Sequence, residues 1–234
     1  MDPRIPLPPG RKLILCYVTD RRSLYLASSS VSRAADSGES AEYLENALVE
    51  ALRNAAVAGV DWIQIREKDL EGRALARLVR RAAETTRGSG AKILVNDRLD
   101  VAVAAGAAGI HLGEASLPVE TVAEWRRAAS RSGFQIGVSC HSVEAARAAE
   151  RGGADYIIFG PVYPTPSKAS FGPPQGISGL HEVCAAVRIP VLAIGGLTLE
   201  NADSCIEAGA AGVAAIRLFQ ETPNAAARLK SGAA

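Results

Sequence analysis

The sequence predicts a single (β/α)8 TIM barrel, in which eight parallel strands close into an inner sheet and helices cover its outside. Its 234 residues suit that fold, which typically takes roughly 250. Short apolar runs alternate with longer Ala-rich stretches, as expected of strands that are buried on both faces between helices. The alternation repeats eight times, and eight units favour a closed barrel over an open sheet.

The predicted strands are uninterrupted apolar runs, each followed by a polar turn. They cover residues 13–18, 62–65, 93–95, 109–112, 135–138, 156–159, 191–194 and 212–216. The predicted helices have apolar residues at helical spacing. They cover residues 41–58, 72–85, 99–105, 118–129, 142–151, 179–187, 199–208 and 218–228. The Ser-rich stretch 27–40 is predicted to be an inserted loop or an active-site loop.

The predicted catalytic domain spans residues 13–230, and residues 1–12 precede it as a flexible, Pro-rich N-terminus. No run of about 18 apolar residues occurs, so no membrane-spanning helix is expected. The N-terminus also lacks the apolar core of a signal peptide. We therefore expect a cytoplasmic protein.

Composition disfavours two further classes of protein. The 26 Lys and Arg residues balance 25 Asp and Glu residues, which argues against binding nucleic acid through bulk electrostatics. The four cysteines form no C-x-x-C pair, so neither a zinc site nor a small disulfide scaffold is indicated. A homo-oligomer is compatible with the sequence.

Chemistry in a barrel of this type lies at the carboxyl ends of the strands. Alternation along the second strand places Gln64, Arg66 and Lys68 on one side of it. Cations that point into a barrel need an anion or a carboxylate as partner. We therefore predict a site for anionic groups such as phosphates. The alternative is a scaffold network in which Arg66 and Lys68 pair with Glu67 or Asp97.

Further candidates follow other strands. Gly195-Gly196 follows the seventh strand, where glycine N–H groups can approach a phosphate; the alternative is an ordinary tight turn. Asp97 offers a hard oxygen ligand for Mg²⁺, or else caps the next helix. His141 is a candidate acid or base, or a structural residue. Ser139 lacks a G-x-S-x-G context, which disfavours a hydrolase.

Seven motifs occur together in a characteristic order and spacing. They are Tyr17-Val18-Thr19-Asp20, Gln64-Ile65-Arg66-Glu67-Lys68, Val95-Asn96-Asp97-Arg98, Gly109-Ile110-His111-Leu112-Gly113, Gly137-Val138-Ser139, Gly160-Pro161-Val162-Tyr163-Pro164-Thr165 and Ala193-Ile194-Gly195-Gly196. This set resembles the thiamine phosphate synthase family over nearly the whole chain. The resemblance implies a transferase that condenses hydroxymethylpyrimidine diphosphate with thiazole phosphate and releases pyrophosphate.

The resemblance also implies roles for the matched residues. The pyrimidine diphosphate site would comprise Gln64, Arg66, Glu67, Lys68, Asn96, Ser139 and Lys168. The thiazole phosphate site would comprise Thr165, Ser167, Gly195, Gly196, Ile216 and Arg217. Asp97 and Ser116 would hold Mg²⁺ as the cofactor, and Lys168, Ser139 and His141 would take part in catalysis.

Three positions depart from the family pattern. Ser116 stands where a second metal-binding Asp is expected, Ser167 replaces a threonine, and Arg217 replaces a serine. In the sister branch of thiazole tautomerases, a His at the position of His141 is expected to move the proton. The intact motif at 64–68 suits a diphosphate instead. We therefore expect a synthase, with a tautomerase and a non-catalytic thiamine-phosphate-binding barrel as alternatives.

Overall fold

The computed structural model describes residues 13–27, 38–165, 173–222 and 224–232. Within these residues, eight strands form one closed parallel barrel in which sequential strands pair and the last pairs with the first. The strands are β1 Ile14–Val18, β2 Trp62–Ile65, β3 Lys92–Asn96, β4 Gly109–Leu112, β5 Gln135–Cys140, β6 Tyr156–Phe159, β7 Val191–Ile194 and β8 Gly212–Ala215. The predicted TIM barrel is confirmed. β5 runs two residues beyond its predicted end because Ser139 and Cys140 also pair with β6.

Ten helices occur in the described ranges. They are α1 Arg21–Ala27, α2 Gly38–Val57, α3 Gly72–Thr85, α4 Leu99–Ala104, α5 Val119–Ala128, α6 Val143–Gly152, α7 Gly176–Ala186, α8 Leu199–Glu207, α9 Arg217–Glu221 and α10 Ala225–Ser231. Helices α2 to α8 correspond to the first seven predicted ones, although α2 and α7 each begin three residues earlier. None of the helices in this part of the chain is both long and apolar enough to cross a bilayer.

The sequence analysis predicts no helix at α1. The Asp20 carboxylate accepts hydrogen bonds from the backbone N–H groups of Arg22 (3.2 Å) and Ser23 (3.3 Å), as a helix-capping side chain does. Asp20 is therefore the signal that was available for this helix. Most of the predicted loop at 27–40 lies outside the described residues, and its last three residues begin α2.

The prediction of one helix over residues 218–228 is wrong, because the structure has two helices there. Helix α9 ends at Glu221, and Thr222 adopts an extended conformation. A residue that precedes proline, as Thr222 does in the sequence, favours that conformation over the helical one. Asn224 then adopts a left-handed conformation in front of α10.

A layer of side chains fills the interior of the barrel, so the barrel is a packed core and not a channel. Its buried members are Cys16, Val18, Leu94, Tyr156, Ile158, Leu192 and Ala214. Trp62 packs against Tyr156 with the ring centroids 4.6 Å apart. A Cβ atom on Gly137 would lie 2.0 Å from Cζ of Tyr156, so only glycine leaves room for that ring. A larger core lies between the sheet and the helices.

Ion pairs stabilise the amino end of the barrel. Asp61 accepts a hydrogen bond from a backbone N–H of β1 (3.0 Å) and forms an ion pair with Lys230 at 3.0 Å. Asp155 accepts a hydrogen bond from the N–H of Ile136 (2.7 Å) and pairs with Arg126. Each carboxylate thus joins a strand to a cation from a helix.

Candidate active site

Gln64 and Asn96 meet at the carboxyl ends of β2 and β3. Nε2 of Gln64 donates a hydrogen bond of 3.0 Å to Oδ1 of Asn96. Gln64 is only 2% exposed, and its Oε1 has no hydrogen-bond partner among the described residues. A buried acceptor without a donor costs stability. This oxygen is therefore suited to accept a hydrogen bond from a donor group on a ligand.

Arg66 and Lys68 do not pair with Glu67 or Asp97, so the alternative prediction of a scaffold network after β2 is wrong. Glu67 is buried, and its carboxylate accepts hydrogen bonds from the backbone and the guanidinium of Arg21, the latter at 2.8 Å. Burial raises the pKa of Glu67, while hydrogen bonds from Thr19 and Arg21 act in the opposite direction. Arg66 and Lys68 have no ion-pair partner within the described part of the chain. Glu67 thus anchors α1, and its contact with a substrate stays a prediction.

Asp97 follows β3 in a left-handed backbone conformation, with φ of 66°. Asp tolerates this conformation better than most residues. Its N–H donates a hydrogen bond of 2.8 Å to the carbonyl oxygen of His111, which fixes the backbone beside β4. The interpretation of Asp97 as a helix cap is wrong, because Arg98 occupies the capping position of α4. The Asp97 side chain is exposed at the barrel rim.

The loop after β4 places Glu114 beside His141, with 3.8 Å between Oε1 and Nε2. Nδ1 of His141 is 2.5 Å from the carbonyl oxygen of Gly160, which can only accept, so Nδ1 carries a proton. Oγ of Ser116 accepts a hydrogen bond of 2.7 Å from the N–H of Gly113 and closes the turn between them. Ser116 therefore has a structural role, and its role as a metal ligand stays a prediction.

His111 received no individual role from the sequence, yet it lies at the centre of a buried hydrogen-bonded chain. Its Nε2 is 2.8 Å from Oγ of Ser139, and its Nδ1 is 3.2 Å from the hydroxyl of Tyr156. Burial, followed by the positive charge of Arg66, lowers the pKa of His111 to about 3. The imidazole is therefore neutral at neutral pH. The sequence offered one signal for this role, because His111 is a single polar residue inside an apolar strand.

The loop after β7 packs tightly against the loop after β6. Gly195 and Gly196 both have positive φ, at 99° and 64°. A Cβ atom on Gly196 would lie 2.5 Å from the carbonyl oxygen of Pro164, so the close approach requires glycine. No acceptor among the described residues takes the N–H groups of this pair. The pair is a tight turn, and it also presents two backbone donors.

Two further predicted phosphate ligands lie together at the same rim. Nη2 of Arg217, at the start of α9, is 3.5 Å from Oγ1 of Thr165. Ile216 immediately precedes Arg217 at the carboxyl end of β8. Ser167 and Lys168 lie outside the described residues, so their predicted roles have no structural counterpart.

A family model described as thiamine monophosphate synthase matches residues 36–219. The chain belongs to this family. It is 45% identical over 184 residues to "Putative thiamine-phosphate synthase" of Geobacter sulfurreducens, covering 79% of this chain and 84% of that protein. It is 49% identical over 164 residues to "Thiamine-phosphate synthase" of Methanoculleus marisnigri, covering 70% of this chain and 76% of that protein.

The fold of the thiamine monophosphate synthase family also matches a solved structure. Thiamine phosphate pyrophosphorylase from Pyrococcus furiosus superposes with a TM-score of 0.75 at 30% identity, covering 95% of this chain and 97% of that chain. In this family member, the predicted site residues that the structure describes lie in the last residues of β2, β3 and β5 or in the segments that follow β2 to β8, at one end of the barrel. Their individual ligand contacts remain predictions.

Proposed function

We propose that this family member is a thiamine-phosphate synthase, a transferase of thiamine biosynthesis. The C–O bond between the pyrimidine methylene and the diphosphate breaks, and pyrophosphate leaves with the electron pair. The thiazole nitrogen forms a C–N bond with the same methylene carbon. The observation that carries the proposal is Oε1 of Gln64, which has no partner among the described residues, together with Arg66 and Lys68 after β2, which form no ion pair there.

The pyrimidine diphosphate would bind across β2, β3 and β5. Oε1 of Gln64, held by Asn96, would accept a hydrogen bond from an N–H of the pyrimidine. Arg66 and Lys68 would attract the diphosphate, because neither is neutralised by a described carboxylate. Fixed cations stabilise the negative charge that grows on the leaving group in the transition state. Ser139 would donate to the same diphosphate, and the family pattern adds Lys168.

The thiazole phosphate would bind across β6, β7 and β8. The N–H groups of Gly195 and Gly196 would hold its phosphate, together with Thr165, Arg217 and, on family grounds, Ser167. Ile216 would contact the thiazole ring. Binding both substrates at one rim would align the thiazole nitrogen with the pyrimidine methylene, which lowers the entropic part of the barrier.

Mg²⁺ is the proposed cofactor, and the residues present fit it when substrate phosphates complete its shell. Asp97 and Glu114 supply carboxylates at this rim, and Mg²⁺ commonly takes one or two carboxylates plus phosphates. No cluster of three or more His, Cys, Asp or Glu side chains able to hold a metal occurs in the described ranges. A bound ion would neutralise diphosphate charge. Asp97 would hold the ion, and the Ser116 hydroxyl is a weaker ligand than the expected Asp.

One observation favours a second function, isomerisation of the carboxythiazole phosphate. Because Nδ1 of His141 donates to Gly160, Nε2 of the neutral ring has a lone pair that can accept a proton. Glu114 at 3.8 Å would stabilise the resulting imidazolium. These are the properties of a residue that moves a proton between two carbon atoms.

We further propose small phosphorylated molecules as the partners, a cytoplasmic location and a homo-oligomer. The balanced charge of the chain supports the proposal that it does not bind nucleic acid. These four properties are proposals from the sequence.

In the deciding experiment, the full chain is incubated with both substrates and Mg²⁺, and the products are measured. A synthase should form pyrophosphate and thiamine phosphate in equal amounts. Gln64→Glu should reduce that turnover strongly, because the carboxylate has no N–H to donate to Asn96 and adds a negative charge to a site that binds a diphosphate. The matched control is Gln135→Glu, the same change at the amino end of β5, which should retain activity. Isomerised carboxythiazole phosphate without pyrophosphate would identify a tautomerase. If the ligand raises the melting temperature but neither product forms, the chain is a binding protein.

A further inference from the structure

We propose that Tyr156 and His111 are positioning residues that make the Ser139 hydroxyl a hydrogen-bond donor towards the mouth of the barrel. The inference rests on the proposed function, in which Ser139 contacts the leaving diphosphate. Tyr156 and His111 touch no substrate. They act by fixing which atom of each hydrogen bond carries the proton.

Three adjacent strands build the chain of contacts. His111 on β4 is in register with Gly137 on β5, and Gly137 is in register with Tyr156 on β6. The missing side chain of Gly137 lets the phenol ring reach beneath the imidazole, because a Cβ there would lie 2.3 Å from the Tyr156 hydroxyl. Ser139 lies two residues further along β5, closer to the mouth, and is half-buried.

A neutral imidazole gives this series of hydrogen bonds a single direction, since one ring nitrogen donates and the other accepts. The hydrogen bond to the buried phenol requires the neutral form. An imidazolium would donate through both ring nitrogens, and the proton of the Tyr156 hydroxyl would then have no acceptor.

The buried phenol of Tyr156 determines the direction of these hydrogen bonds. Tyr156 is fully buried, and Nδ1 of His111 is the one hydrogen-bond acceptor that the described residues offer its hydroxyl. If Tyr156 accepted instead, its own proton would be left buried without a partner. Tyr156 therefore donates to Nδ1, and Nε2 carries the imidazole proton. Oγ of Ser139 accepts from Nε2–H, which leaves the serine proton available to an anion.

The opposite direction would have the opposite consequence for the reaction. If Nε2 were the acceptor, the Ser139 proton would be directed at His111. Ser139 would then present only lone pairs to the mouth, where they would repel a diphosphate oxygen. The tautomer of His111 thus decides whether Ser139 helps or hinders pyrophosphate departure.

The first test determines the tautomer directly, on the full chain labelled with ¹⁵N-histidine. Long-range ¹H–¹⁵N correlations, assigned by the loss of signals in His111→Gln, should show a protonated Nε2 and an unprotonated Nδ1. A protonated Nδ1 on His111 in the wild-type protein would overturn the proposal. This readout needs no substrate, so it stands or fails separately from the proposed synthase activity.

The second test is kinetic. Tyr156→Phe should lower kcat about tenfold, in the range found for residues that orient a ligand through a hydrogen bond, and should change KM for the pyrimidine diphosphate less. The matched control is Tyr43→Phe, which removes a hydroxyl from an exposed tyrosine on α2 and should leave kcat unchanged. In a Ser139→Ala background, Tyr156→Phe should have no further effect. A full tenfold effect in that background would show that Tyr156 acts through packing and would overturn the proposal.

Discussion

The two ends of the barrel differ in the polar groups that they leave without a partner. At the amino end, Asp61 and Asp155 each bind a backbone N–H and a cation, so their charges are compensated within the fold. At the carboxyl end, Oε1 of Gln64 has no partner and Arg66 no ion pair among the described residues. Compensated groups stabilise a fold, whereas buried uncompensated ones cost stability unless a ligand completes them. The carboxyl end also contains compensated pairs, Glu67 with Arg21 and Asp100 with Arg98. Uncompensated groups such as Gln64 Oε1 and Arg66 therefore distinguish the proposed substrate site from the groups that maintain the barrel.

The largest effect is expected at the carboxyl end, from Asp97→Asn. Turnover should fall roughly a thousandfold, because the proposed metal ligand loses its charge. Asn also tolerates the left-handed backbone at this position, so the fold should be retained. Pyrophosphate release against Mg²⁺ concentration measures the effect.

The matched control for Asp97 is Asp100→Asn, on the same rim segment. Asp100 is exposed and paired with Arg98 at 2.6 Å, so its loss should leave turnover nearly unchanged. Wild-type rates for Asp97→Asn at saturating Mg²⁺ would exclude Asp97 as the metal ligand. They would also remove a main support for placing the chemistry at this rim.

The next largest effect is expected at the amino end, from Asp155→Ala. It removes a strand–helix connection and leaves Arg126 without its ion-pair partner, so the free energy of unfolding should fall by about 3 kcal/mol. Activity per folded molecule should stay unchanged. Urea unfolding and pyrophosphate release on the same samples test both statements.

A surface ion pair provides the comparison for Asp155. Glu50→Ala removes the exposed partner of Arg53 and should cost less than about 0.5 kcal/mol. If Asp155→Ala instead impaired turnover while the unfolding curve stayed in place, the contrast between the two ends would be incorrect.

A third prediction concerns His111, between the two ends. Its folded-state pKa of about 3 lies below the usual 6.5, so the unfolded chain takes up a proton first as pH falls. The stabilisation by neutral His111 is complete above pH 6.5 and is lost as pH falls towards 3. By pH 5 the free energy of unfolding should be about 2 kcal/mol lower on this account. His111→Gln should remove that slope between pH 7 and pH 5.

His181→Gln is the control for the pH experiment, because His181 is exposed. It should leave the dependence of the unfolding free energy on pH as in the wild type. An unchanged slope in His111→Gln would mean that His111 titrates normally in the folded protein.

Sequence reasoning located the strands and the rim, but it did not determine which side chains contact each other. The strands could be predicted because burial on both faces demands uninterrupted apolar runs. The partner of Glu67 could not, because Arg21 is separated from it by 46 residues and the two meet only through tertiary packing. His111 was missed for a related reason, since its partners lie on two other strands. Helix α1 is too short to show an apolar period.

A smaller effect is expected from Arg217→Ser, which restores the residue typical of the family. Arg217 is exposed and reaches Thr165 at 3.5 Å, so its contribution to phosphate binding is modest. KM for the thiazole phosphate should rise about fivefold, corresponding to about 1 kcal/mol. Arg188→Ser, at an exposed position just before β7, should leave that KM unchanged. An unaltered KM in Arg217→Ser would indicate that the guanidinium points away from the phosphate.

The smallest effect is expected from Ser116→Asp, which adds a charge to the rim. The carboxylate can accept the hydrogen bond from Gly113 that Oγ accepts now, so the turn should persist. If the missing carboxylate weakens metal binding, the Mg²⁺ concentration for half-maximal turnover should fall about threefold. Ser116→Ala is the control, because it removes the hydroxyl without adding charge and should not lower that concentration. An unchanged titration in Ser116→Asp would mean that Glu114 or substrate phosphates already complete the metal shell. If the substrate phosphates are responsible, the ligand supplies the negative charge that Ser116 lacks, whereas Asp61 and Asp155 at the amino end find their opposite charges within the fold.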